Sequence, residues 1–168
     1  DASQRRDGSY RTIDRVDLIL LGDVLDVIRS SRWLEGRVRP WDDSTSAPFI
    51  ETVSRITGDI LRFNQEAFAE FRRLAEHGVL IPAGTRAGRP AEREQTPVPV
   101  RIHYMVGNHD WFFHLPGEQY NRLRRQIAQT MGLATSPESP FPHEPWEDNE
   151  LLQTMRRHKV FARHGDVF

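Results

Sequence analysis

The clearest pattern in the chain is Val16-Asp17-Leu18-Ile19-Leu20-Leu21, a short and nearly continuous apolar run stopped by Gly22, which predicts a buried strand of an α/β sheet. Val100 to Val106 repeats it and is halted by Gly107. Lys159 to Arg163 predicts a third strand, running into His164-Gly165-Asp166. Elsewhere the period changes. Phe49, Val53, Ile56, Ile60, Phe63, Ala67, Phe71 and Leu74 recur at steps of three and four, predicting one long amphipathic helix that ends near His77-Gly78, where glycine supplies a left-handed cap. Gln119 to Met131 predicts another, with Tyr120, Leu123, Ile127 and Met131 on one face, and Val24 to Arg32 a shorter one. Residues 82–99 carry glycines, prolines and charges without a period, and predict a surface loop. Residues 136–145 hold several prolines and are expected to be irregular.

Composition narrows the chemistry. The 168 residues include 23 basic and 24 acidic side chains, for a formal charge of −1, so bulk electrostatics gives no sign of a nucleic-acid partner. No run approaches the roughly 18 apolar residues of a membrane span. There is no cysteine, which removes disulfides and thiolate metal sites and leaves carboxylates, imidazoles, amides and hydroxyls. No Gly-x-Ser-x-Gly and no Walker-type Gly-Lys-Ser/Thr occurs. Localisation and oligomeric state stay open.

One regularity joins pattern to chemistry. Each expected strand ends in a glycine-containing cluster of metal-capable residues: Gly22-Asp23 with Asp26, Gly107-Asn108-His109-Asp110, and His164-Gly165-Asp166. Ligands of open α/β sheets bind outside the carboxyl ends of strands, so the three clusters are expected to converge. Mixed Asp, Asn and His donors suit Mn, Fe, Zn or Mg, and a shared carboxylate can bridge two such ions for an in-line displacement at phosphorus.

These clusters resemble, in order and in strand context, the second, third and fourth motifs of the calcineurin-like metallophosphoesterases. Gly107-Asn108-His109-Asp110 is the most specific of the three. The resemblance implies an αββα sandwich and two divalent metal ions. It implies a phosphorylated substrate, a phosphomonoester, phosphodiester or pyrophosphate, hydrolysed by metal-activated water. It makes Asp23 the bridging metal ligand, with Asn108 and His164 on the second metal. His109 becomes the catalytic group beside the phosphate, Asp110 or another carboxylate orients its ring, and Asp26 fixes the loop behind the ligands. The family's Asp-x-His and Gly-His-x-His motifs do not occur here. The chain is therefore expected to be a single, incomplete domain over residues 1–168 that on its own binds metal weakly.

Other polar residues have plainer readings. His103 is expected to be a hydrogen-bonded strand residue, His114 to pack a loop, and His77, His143 and His158 to be exposed. The four tryptophans read as packing anchors, with Trp111 and Phe112 as a possible cleft wall, and Arg72-Arg73 and Arg124-Arg125 as solvated helix faces. Two rival functions follow from the same residues: a non-catalytic scaffold on this fold, or a nuclease of the same superfamily with a basic groove.

Overall fold

The computed structural model describes residues 4–165. Two strands organise it. β1 (Val16–Leu21) and β4 (Val100–Met105) lie parallel, in a register running from Val16 opposite Val100 to Leu21 opposite Met105. A parallel pair needs a long crossover, and here the whole segment from Gly22 to Pro99 supplies it. In sequence order that crossover holds a 3₁₀ turn at Ser31–Leu34, α1 (Ala47–Phe63), α2 (Gln65–His77) and a hairpin of β2 (Val79–Gly84) with β3 (Pro90–Val98). After β4 come a 3₁₀ turn at Trp111–His114, α3 (Glu118–Met131) and α4 (Asn149–His158).

Alternation along β4 assigns its faces. Tyr104 joins the main core with Leu25, Trp33, Phe49, Phe112, Phe113 and Ile127, beneath α1, α2 and α3. Met105 points the other way, into a smaller cluster with Leu151 and Met155 of α4, against which Ile19 and Leu21 pack. The chain is thus mixed α/β, with helices on both faces of the parallel pair. Among the described residues no helix is long and apolar enough to cross a membrane.

Several expectations need correcting. Residues 82–99 are not a loop but most of an antiparallel hairpin. Its charged second strand is largely exposed, and such an edge carries no hydrophobic alternation to read. The long helix is broken at Asn64, whose side-chain amide donates to the Ile60 carbonyl at 3.0 Å, so that Leu61 and Phe68 are buried while Phe63 is 90% exposed. Residues 24–30 are not helical: Leu25 and Val27 are buried in the core, and the Val27 carbonyl accepts from the Trp33 indole at 2.9 Å. Residues 160–164 form no strand. α4, unforeseen in the sequence, occupies the segment before them, opened by an Asp148 side chain that accepts from the Leu151 N–H at 2.9 Å.

Trp33 and Trp111 do pack, whereas Trp41 and Trp146 are exposed. Arg124 is no solvated residue. It is fully buried, its guanidinium donating to the carbonyls of Phe113 (2.8 Å), Leu115 (2.7 Å) and Pro137 (3.2 Å), so that one side chain closes two loops.

Candidate metal centre

The parallel register decides where the chemistry meets. Because Leu21 pairs with Met105, the glycine clusters that follow the two strands leave the sheet side by side. Gly22 has φ +82° and Asp23 φ +56°, a left-handed pair that turns the chain sharply off β1. The approach is close enough to demand glycine. A Cβ on Gly22 would lie 2.5 Å from the Gly107 nitrogen, and one on Gly107 would lie 2.4 Å from Asp23 Oδ1 and 2.8 Å from the His164 ring.

Asp23, Asn108 and His164 are brought together. The Asp23 Oδ1 accepts the His109 backbone N–H at 2.9 Å, which locks the first cluster to the second. Its Oδ2 lies 3.4 Å from His164 Nε2, and Asn108 Oδ1 lies 3.1 Å from the same nitrogen. The other ring nitrogen of His164 donates to the Leu21 carbonyl at 2.6 Å, and since a carbonyl only accepts, Nδ1 carries the proton. In the neutral ring, Nε2 then presents a lone pair to two oxygen acceptors. The three side chains can thus offer a cation one nitrogen and two oxygens or, with Nε2 protonated, bond one another directly. Ligand distances of about 2.0–2.1 Å at octahedral or tetrahedral angles put donors about 2.8–3.4 Å apart, a range that holds both distances to His164 Nε2.

The donor set fits one divalent ion with open positions. It comprises a carboxylate, an amide oxygen and an imidazole; among the described residues no three His, Asp or Glu side chains gather as a metal site, here or elsewhere, so the set rests on two such groups and an amide. For a second ion, Asp23 is the one member of this set left to share among the described residues. Asp166 lies outside the described residues.

His109 and Asp26 form a separate pair. The His109 Nδ1 bonds Asp26 Oδ1 at 2.9 Å, leaving Nε2 as the free ring nitrogen at a quarter-exposed position. Burial pushes the Asp26 carboxyl up, but its bonds from Arg29 and His109 outweigh that and hold it below the ordinary aspartate value. The Ile28 N–H to His109 carbonyl bond, 3.1 Å, ties the two loops at a further point.

Asp110 does something other than expected. It is fully buried and faces away from the His109 ring: its carboxylate accepts the Tyr104 hydroxyl and, at 2.6 Å, the Gly107 N–H. Burial raises its pKa, and the Tyr104 phenol, equally buried and beside a carboxylate, is raised well above its ordinary value. Asp110 therefore holds the shape of the 107–110 turn and does not orient His109.

Arg29 is the neighbour that the sequence reading missed. Its exposed guanidinium ion-pairs with Asp26, within electrostatic reach of Asp23. Its position three residues after Asp26 was the available signal. The remaining histidines mostly keep their plain roles: His114 bonds the Phe141 carbonyl at 2.9 Å, and His103 is buried against Asp17, although its Nε2 has no hydrogen-bond partner. Comparison with family models, curated proteins and solved structures found no match to this chain.

Proposed function

We propose that this chain carries part of a metal-dependent phosphoesterase centre, on part of an αββα sandwich, hydrolysing a phosphomonoester, phosphodiester or pyrophosphate bond. The observation that carries the reading is the convergence of Asp23 Oδ2, Asn108 Oδ1 and His164 Nε2 on one point at the carboxyl ends of two parallel strands. A divalent ion held there supplies Lewis acidity toward a phosphoryl oxygen and lowers the pKa of water.

The chain's own residues do the rest. The Leu21 carbonyl fixes the His164 tautomer, as second partners of metal-binding histidines commonly do. Asp26 fixes the His109 ring with Nε2 outward, the placement from which a protonated imidazole donates to a leaving oxygen. The superfamily resemblance of the three motifs points the same way. A nuclease is less well supported, because a broad groove with Arg5, Arg11, Arg15 and Arg157 in its wall lies at the Val16 end of β1, a strand's length from Asp23.

Mn²⁺ binding measured by electron paramagnetic resonance, beside hydrolysis of p-nitrophenyl phosphate and bis-p-nitrophenyl phosphate with and without chelator, tests the proposal. Expected is one weak Mn²⁺ site lost in Asp23→Asn and Asn108→Ala and kept in His109→Ala, with hydrolysis abolished by chelator. Mn²⁺ binding indifferent to Asp23→Asn, or chelator-insensitive hydrolysis, would overturn it.

A further inference from the structure

We infer that Glu144 and Arg163 are positioning residues for His164, and that their ion pair, in place of a strand ladder, delivers this imidazole to the site. The inference rests on reading Asp23, Asn108 and His164 as a metal-binding set. α4 ends at His158; its cap Lys159, with φ +53°, turns the chain out of the helix, and the Val160 N–H still bonds the Met155 carbonyl at 3.0 Å. From Phe161 to Gly165 no backbone–backbone hydrogen bond to another described residue follows. A segment that carries a ligand without ladder bonds must be fixed by its side chains.

Those fixings are few. Ala162 packs against the Met105, Leu151 and Met155 cluster, a contact without direction. Arg163 ion-pairs with Glu144, and His164 Nδ1 meets Leu21. The ion pair is directed, and it sits one residue from the ligand.

Glu144 is built as a fixed anchor. Its carboxylate is 13% exposed, and it forms a reciprocal cap with Glu147 around the 3₁₀ turn Pro145–Glu147, its own N–H bonding Glu147 Oε2 at 3.0 Å. One oxygen, Oε2, is buried without a hydrogen-bond partner, and the other pairs with the Arg163 guanidinium. The anchor's segment is tied in turn to the turn that carries Asn108: the Val106 N–H, just after β4 and before Gly107, bonds the Pro142 carbonyl at 2.8 Å. Glu144–Arg163 therefore joins the two chain segments whose side chains, Asn108 and His164, lie 3.1 Å apart.

Two readouts separate positioning from general stability. In the metal-free ¹⁵N-labelled protein, long-range ¹H–¹⁵N spectra of the histidine rings are expected to show His164 protonated on Nδ1, a signature that averages out in Glu144→Gln while the His109 ring is unchanged. Mn²⁺ affinity is expected to fall about tenfold in Glu144→Gln, within the 10–100-fold range for residues that support a metal ligand, with the melting temperature nearly unchanged. Arg163→Met should match it, Arg163→Lys should recover part, and the double variant should be no weaker than either single one. Arg163→Met serves alone if Glu144→Gln fails to fold. A His164 ring spectrum that stays as in the wild type in these variants overturns the inference, since that readout needs no metal. Mn²⁺ affinity indifferent to Asp23→Asn sinks instead the reading of the site.

Discussion

His109 Nδ1 lies 2.9 Å from Asp26 Oδ1, across 83 residues of sequence, while the adjacent Asp110 turns its carboxylate into the core toward Tyr104 and Gly107. The ring is thus oriented from the loop after β1, and the loop after β4 is held in shape from within. Asp26→Asn should therefore lower turnover nearly as far as His109→Ala, by a factor of about 10²–10⁴, with little further loss in the double variant. Steady-state kinetics beside Mn²⁺ binding checks this, and metal affinity should survive both changes.

Gly107 is where the two clusters touch. Alanine there would put a methyl 2.4 Å from Asp23 Oδ1 and 2.8 Å from the His164 ring, so Gly107→Ala should abolish Mn²⁺ binding by driving the two ligands apart. The Gly36→Ala control, with nothing within 4 Å of its Cβ, should bind metal as the wild type does.

Arg124 joins α3 to the Trp111–His114 turn and to the segment at Pro137 through carbonyl bonds. Arg124→Met should lose about 2–4 kcal/mol, since it removes charged hydrogen bonds and leaves buried carbonyls unpaired. Urea unfolding measures it, and a shift of the midpoint within experimental error would contradict the role given to Arg124.

Stability should fall with acid in two stages. Burial holds the His103 pKa below its ordinary 6.5, so the unfolded chain binds that proton more readily, and stability declines as pH drops through about 6.5. Burial pushes Asp17 up, but bonds from His158 and Arg15 outweigh it and leave it below 3.8. Its contribution is therefore present above about pH 4 and lost as pH falls through the lowered value. Denaturation midpoints across pH 3–8 should show both declines, with His103→Gln removing the upper one and Asp17→Asn the lower. An unchanged profile in both variants would refute the assignment.

How much was legible depends on where the information sits. Val16–Leu21 and Val100–Met105 were readable because a strand buried among helices must be apolar almost throughout. The meeting of Asp23 with the Asn108–His109 loop was readable because both follow apolar strands, whereas the strand expected before His164 is absent and only the fold brings that ring to them. The β2–β3 hairpin was not, since its exposed edge needs no apolar period, and neither was the burial of Arg124, which depends on carbonyls that no pattern reveals.

By itself, then, the sequence determined the strand and helix identities of the strongly periodic segments, the α/β class and the residue types able to bind a cation. The tertiary structure alone decided which of these meet. The parallel register set Gly22 against Gly107, the irregular chain after Lys159 brought in His164, and the choice of Asp26 over Asp110 fell to which carboxylate was buried. The physical reason is distance along the chain: residue type and period act within a few residues, whereas Asp26 and His109, or Leu21 and His164, are joined by contacts that exist only once the strands have paired.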